Sequence, residues 1–494
     1  MAFLRRHPLS LALIVQAALL LPRLDLLPLW DDERFTLQTA ARPWGGIVEA
    51  VRVDVHPPLY YVLVRAWLAL PFPGGELVRA RLFSALATLA VTAVFYHLWL
   101  RRLGWRRQIL FLGLWVSSPC LVLYGRMARS YSLQVLAATL AIRFALDWLN
   151  DDRSRCREAG FAAAATLLLY IHYLPGLAVL AAVAALALWR RQWRALRPLI
   201  WIGLAYLPWI AVLAHSAGLV AAARPYWLGG NWVVENLLKL AYAFVAFQFG
   251  ETAPVWGVVL GAALIPFAGV ALVRAWRAGR HPPVLFVLLA GAGYFVAASW
   301  VSFAFVGARL LFLLPFYYLF LLRGLDTGRR AGVVVYAALL VLATGGLTSY
   351  YRRQDFLNKG YLVDFEAVAR RVHQQSGGQT AYILLDRFST SAGYSLHGPN
   401  IPYLKVLGSP EAGREARERL LRDRPGLVWY VRYTRPSGAS EEVLAHLERD
   451  YVPTRHGFVS YSRLDRWVMA RLAFPGPPEY LLEAIEFRRH PVSR

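Results

Sequence analysis

The sequence predicts a polytopic α-helical membrane protein that ends in a small water-exposed α/β domain, on three observations. Of its 494 residues, 57% are hydrophobic and only 17% charged, whereas a soluble domain sits near about 45–50% apolar and about 25% charged. Apolar runs of membrane length, roughly 20 residues, recur from the N-terminus to about residue 348, with arginine clusters between them. From Tyr350 on, 22 basic residues face 16 acidic ones and no such run occurs. This balance excludes an ordinary soluble enzyme, a disordered chain and a collagen-like fibre. The net charge of +24 does not mark a nucleic-acid binder, because the arginines sit in short links, as in the cytoplasmic loops of membrane proteins. Cys120, in an apolar run, and Cys156, in a charged loop, do not suggest a disulfide.

The first run, Pro8 to about Leu27, follows Arg5 and Arg6. Its apolar core is long and no A-x-A site follows, so it reads as an uncleaved span and not a signal peptide. Further runs lie at about 82–100, 108–124, 131–149, 159–173, 174–189, 198–214, 255–275, 284–302, 307–322 and 331–348, making eleven in all. With the N-terminus inside, the basic links 101–107, 150–158, 190–197, 274–282 and 323–330 all fall on the cytoplasmic side. That alternation requires two half-apolar segments, Pro57–Pro71 and Trp232–Phe249, to lie along the outer surface without spanning. The spans then form residues 1–349, with a long outer loop over 29–81. Residues 350–494 form an external domain, in which TAYILL and GLVWYVRY read as buried strands, and GREARERLLRD and SEEVLAHLERD as amphipathic helices.

Ionisable groups near membrane depth are costly and tend to mark sites, and three unusual polar groupings map to the outer side. The first is Trp30-Asp31-Asp32-Glu33-Arg34 with Asp54-Val55-His56-Pro57-Pro58-Leu59-Tyr60-Tyr61. Adjacent helical residues diverge by about 100°, so only one of Asp32 and Glu33 can address a given atom while the other serves a structural partner. The second is Tyr124-Gly125-Arg126-Met127-Ala128-Arg129-Ser130-Tyr131. Outward arginines beside tyrosines suit a phosphate, whose oxygens match the guanidinium fork; interfacial anchoring explains them equally well. The third is Gly307-Ala308-Arg309, with His172-Tyr173 at another outer turn. No zinc-type spacing, Walker loop or dinucleotide fingerprint appears. The aromatic segment from Pro225 to Trp232 fits either sugar stacking or an interfacial belt.

In this order, the groupings resemble the membrane-embedded GT-C glycosyltransferases, in particular the bacterial branch related to protein O-mannosyltransferases and the lipid A aminoarabinose transferase. The residues that carry the resemblance are Asp32-Glu33, the run His56 to Tyr61, Arg79 to Leu82, Ala128 to Tyr131, His172-Tyr173, and Arg309 followed by Pro315, over about residues 25–325. The resemblance implies a GT-C-like fold in a bacterial inner membrane and a polyprenyl-phosphate-linked sugar donor. It also implies inverting transfer on the outer face to a glycan, lipid or protein hydroxyl. It makes Asp32 the base, with Glu33 its neighbour; the acidic triple Asp31-Asp32-Glu33 leaves that assignment open by one position, and Asp54 is a further candidate for the base or for holding a second acceptor hydroxyl. Arg129, Tyr131, Arg309 and Arg126 would face the donor phosphate, and His56, Tyr60, His172 and Tyr173 the substrates. No feature demands a cofactor, although some relatives use a divalent metal. A polytopic lipid or solute transporter, a scaffold acting through the C-terminal domain and a transferase of whole lipid-linked oligosaccharides are the competing readings. Against the transporter stand the absence of a repeated half and the clustering of polar groups at one face.

Overall fold

The computed structural model describes residues 6–53, 56–150, 154–215, 232–278, 281–299, 307–325, 330–386, 395–398, 400–433, 438–463, 465–467 and 479–490. Its backbone contacts divide the chain into two compact units. One comprises Met1–Leu26 and Phe35–Leu357, the other Leu27–Arg34 and Asn358–Arg494.

The first unit is helical, and the described residues of the apolar runs fall largely on helix. Six described helices are long and apolar enough to cross a membrane: Glu76–Leu100, Tyr131–Leu149, Trp193–Ala214, Val259–Arg277, Gly307–Gly324 and Arg330–Arg352. Trp105–Val116 and Pro119–Gly125 make a seventh candidate, bent by 55°. The bend follows from sequence. Pro119 cannot donate to the preceding turn and disfavours helical geometry before it, and Ser118 restarts the helix by accepting the Leu121 N–H at 3.3 Å. Pro8–Leu20, Leu59–Leu68, Tyr173–Trp189 and Pro283–Phe295 are shorter apolar helices. Lipid-facing surface is evident on Arg197–His215, where Ile200, Leu204 and Leu207 project from one side, each more than half exposed. The long outer loop of the sequence folds as helices Asp31–Ala40, Trp44–Val53 and Leu59–Leu68.

Inside this unit, hydrogen bonds between small polar side chains join helices where lipid offers no hydrophobic drive. Thr92 donates to Gln16 Oε1 at 2.6 Å and accepts from Trp115 Nε1 at 2.7 Å, and Thr88 meets Ser132 at 2.7 Å. Basic links meet at one end of the helices. Arg190 donates to Asn150 at 3.1 Å, Arg197 to Glu158 at 2.7 Å, and Arg143 to Asp147 at 2.9 Å. Arg143 also lies over Trp99, 5.8 Å from its ring centre, beside the link that begins at Arg101. Helices Tyr131–Leu149 and Arg155–Ile171 therefore carry the links at one end, and Tyr131 and His172 at the other. Trp232–Phe249, read from sequence as a surface segment, buries Ala243, Ala246, Phe247 and Gln248, and Gln248 donates to the Tyr317 hydroxyl at 2.9 Å.

The second unit carries a five-stranded sheet of β1 (Tyr382–Asp386), β2 (Tyr403–Val406), β3 (Leu427–Tyr433), β4 (Tyr451–Gly457) and β5 (Leu482–Arg489), in the order β2-β1-β3-β5-β4. β1 pairs parallel with β2 and β3, and β5 antiparallel with β3 and β4. Ile383, Leu385, Trp429 and Val431 face helix Phe365–Ser376, while Tyr382, Leu384, Val428 and Tyr430 face helices Pro410–Asp423 and Gly438–Asp450. Burial on both faces explains why β1 and β3 read as unbroken apolar runs. Capping sets the helix limits. Asp364 accepts the Ala367 N–H at 2.9 Å, and Gly377 closes the same helix at φ +56°.

One contact tests the packing of the first unit. A Cβ on Gly324 would lie 1.8 Å from the carbonyl oxygen of Ala271, where two helices cross backbone to backbone. Gly324→Ala should therefore force these helices apart. The expected cost is about 1–3 kcal/mol, read as a lower melting temperature and lower yield of monodisperse protein in detergent.

Candidate active site

The end of the helical unit away from the basic links gathers cations on turns. Arg129 closes the turn between helices Pro119–Gly125 and Tyr131–Leu149. Its N–H bonds Met127 O at 2.7 Å, and its carbonyl accepts from Ser84 Oγ at 3.4 Å. His172 is the single residue between helices Arg155–Ile171 and Tyr173–Trp189, in an extended conformation (φ −160°, ψ 111°) that reverses the chain. Arg309 lies on the tight turn Gly307–Leu313 that leads into helix Leu314–Gly324. His56 precedes Pro57 and helix Leu59–Leu68, with its ring 6.4 Å from that of Phe35. These four belong together: the charges of His56, Arg309 and Arg129 all act on His172.

Tyrosines complete the cluster. Tyr294 is fully buried in helix His281–Ser299, where Arg309, Tyr131 and Tyr173 act on it electrostatically. Tyr131 packs edge-on against Tyr124 at 5.2 Å, and Tyr173 lies 5.8 Å from the His172 ring. Two buried polar atoms here, His172 Nδ1 and the Tyr294 hydroxyl, have no hydrogen-bond partner among the described residues. Buried polar atoms are nearly always bonded, which marks these two as candidate ligand contacts. Sequence reasoning missed Tyr294; a hydroxyl in the middle of an apolar run was the available signal.

Other predicted residues separate by role. Arg126 donates from Nη1 to Leu19 O at 2.9 Å and Leu20 O at 3.0 Å, and from Nη2 to Arg23 O. Its guanidinium also lies 5.6 Å from the rings of both Tyr350 and Tyr351. It therefore anchors the C-terminal end of helix Pro8–Leu20 through main-chain carbonyls. Tyr60 is buried with its hydroxyl 3.5 Å from Ser84 Oγ, the group that bonds the Arg129 carbonyl. It thus supports the Arg129 turn. Glu33 is fully buried and its Oε2 accepts the Trp30 N–H at 3.3 Å, a carboxylate reaching back to start helix Asp31–Ala40. Asp32, on the same turn, is half-buried. Within the second unit this turn is held by an edge contact of Trp30 with Tyr361 at 5.0 Å and a bond from Arg34 to Ser395 at 3.1 Å. Asp54 and the aromatic segment 225–231 lie outside the described residues. Among the described residues no three His, Cys, Asp or Glu side chains converge as a metal site would require.

No family model matches the sequence, and no curated protein matches it. Solved structures do match in fold. ArnT from Cupriavidus metallidurans in the apo state is 14% identical, with 97% of this chain and 96% of that chain covered and a TM-score of 0.54. ArnT from Cupriavidus metallidurans bound to undecaprenyl phosphate is likewise 14% identical over 97% and 96%, with a TM-score of 0.53. The fold is that of the GT-C glycosyltransferases. The order of the polar motifs had pointed to it.

Arg126 and Arg129 sit three residues apart and should respond differently to mutation. Arg126→Ala strands three carbonyls at the end of a helix and should cost on the order of 2–3 kcal/mol, visible as a lower melting temperature. Arg129→Ala should lower that temperature less and should impair ligand binding more.

Proposed function

We propose that the chain is a glycosyltransferase embedded in a bacterial inner membrane. It moves a sugar from a polyprenyl-phosphate donor to an acceptor hydroxyl on the outer face, with inversion at the anomeric carbon. In this reading the N-terminus is cytoplasmic and residues 350–494 lie outside. The observation that carries it is the convergence of Arg129, Arg309, His56 and His172 beside the unpartnered hydroxyl of Tyr294. Guanidinium forks match the oxygens of a phosphate, and a polyprenyl phosphate brings one together with an apolar tail that fits between helices. Undecaprenyl phosphate in the ArnT structure of matching fold supports the same choice.

The chemistry follows from the residue types. A carboxylate takes the proton from the acceptor hydroxyl as its oxygen attacks the anomeric carbon. The bond from that carbon to the phosphate oxygen breaks, and the polyprenyl phosphate leaves with the electron pair. Arg129 and Arg309 stabilise the charge that develops on the phosphate, with Tyr131 donating a hydrogen bond. His56, His172 and Tyr173 hold the sugar and the acceptor. Asp32 is assigned as the base by its place in the motif order. Glu33 is engaged in starting its own helix, which favours Asp32 among the adjacent acids. No nucleotide is required, because the lipid phosphate is the leaving group, and no step is routed through a metal.

The test uses purified protein in lipid, a panel of polyprenyl-phosphate monosaccharides and a membrane extract as the source of acceptor. Wild type should consume one donor and release free polyprenyl phosphate. Asp32→Asn should bind that donor and turn it over at least about 100-fold more slowly, as expected for loss of a general base. If wild type neither binds nor consumes any donor, the transferase reading fails and a transporter becomes the better account. If Asp32→Asn matches wild type, the class survives and the base moves to another acid.

A further inference from the structure

The side chains that carry the proposed chemistry sit on turns, and a turn holds a cation in place only if its backbone is fixed. The turn bearing Arg309 is fixed by two buried side chains that no motif in the sequence singled out. Glu251 Oε1 accepts the Gly307 N–H at 3.0 Å, and Gln134 Nε2 donates to the Ala308 carbonyl at 3.1 Å. Both side chains are fully buried. The two contacts grip consecutive residues immediately before Arg309, from opposite sense: one takes a donor and the other gives one.

Each gripping residue is itself fixed. Gln134 lies one turn into helix Tyr131–Leu149, on the helix that begins with Tyr131. Glu251 follows Gly250, which ends helix Trp232–Phe249 at φ +69°. A Cβ on Gly250 would stand 2.9 Å from the backbone at Pro119 and Cys120, so that approach requires glycine. Backbone pairing then holds the Glu251 segment, since Leu357 N–H donates to Glu251 O at 2.8 Å and Ala253 N–H to Asp355 O at 3.1 Å. Close packing adds to the grip, because a Cβ on Gly307 would lie 3.0 Å from Ala246 Cβ.

We infer that Glu251 and Gln134 are positioning residues for the donor phosphate. By clamping the backbone of Gly307 and Ala308 they aim Arg309 at the phosphate, and neither touches the substrate. This inference rests on the proposed function, in which Arg309 binds that phosphate. The clamp works through a hydrogen bond accepted from a backbone N–H, so the acceptor oxygen of Glu251 matters and its charge does not.

The experiment measures binding of polyprenyl phosphate to full-length protein in lipid nanodiscs, together with the melting temperature. It compares wild type with Arg309→Ala, Glu251→Ala, Glu251→Gln and Gln134→Leu. Glu251→Ala and Gln134→Leu should each weaken binding about tenfold, the value of one net hydrogen bond. Glu251→Gln should recover most of the loss, since its amide oxygen can still accept from Gly307. In the Arg309→Ala background, Glu251→Ala should add no further loss. If Arg309→Ala binds as tightly as wild type, the functional reading fails. If Arg309→Ala loses binding while Gln134→Leu, still folded, keeps it, the clamp is overturned even where Glu251→Ala fails to fold. If Glu251→Gln binds as weakly as Glu251→Ala, the carboxylate acts through its charge, and the inference in this form is also overturned.

Discussion

Holding arginine and histidine side chains on turns at the end of an apolar helix bundle is the constraint on which the rest of the site depends. Arg129, Arg309 and His56 all act electrostatically on His172, in surroundings where burial weakens solvent screening. Such groups need a scaffold that fixes them. The scaffold does so by dividing the labour. Arg126 and Arg81 are satisfied by main-chain carbonyls, at 2.9 Å to Leu19 and 2.7 Å to Leu24, and tie the end of the first helix. Arg129 and Arg309 are carried on turns, where side chains reach the mouth of the bundle.

Much of this was legible in the sequence because lipid imposes a strong pattern. Apolar runs became helices, and the basic links gathered at one end because arginine can neither face hydrocarbon nor leave its charge unmatched; Arg197 with Glu158 is one such match. In the second unit, β1 and β3 were legible because both of their faces are buried. β4 was not: it holds Pro453, Arg455 and His456 at a sheet edge and is mostly exposed, so neither alternation nor an apolar run marks it. β5 was missed although its centre is buried, because Glu483 and Glu486 interrupt the run; Glu483 finds its partner, Arg432, only across the sheet, at 2.9 Å.

The site was legible as a set of residue types but not as a set of roles. Arg126 and Arg129 share one motif, and three residues on a turn suffice to send one guanidinium to the first helix and leave the other among the histidines. Nothing in a one-dimensional pattern separates them, because the deciding carbonyls, Leu19, Leu20 and Arg23, are about 100 residues earlier. Tyr60 shows the same limit. It sits in the run that suggested substrate contact, yet its hydroxyl faces Ser84 and supports the turn behind it. Glu33 reads as an acid beside an acid until its bond to Trp30 shows that it begins a helix.

The residues least visible in the sequence act on main chain. Gln134, Glu251 and Ser84 carry no recognisable spacing, because what they bond is a backbone group whose position only the fold decides. A backbone contact has a further consequence for how such a site evolves. Guanidinium side chains are constrained by what their planar fork must reach, which admits few alternatives. Their supports need only supply one donor or acceptor at the right place, and many side chains can. A fold can therefore be shared by chains that are 14% identical. A turn that carries a fixed cation and is gripped through its backbone is thus a better signature of this site than any single conserved-looking motif.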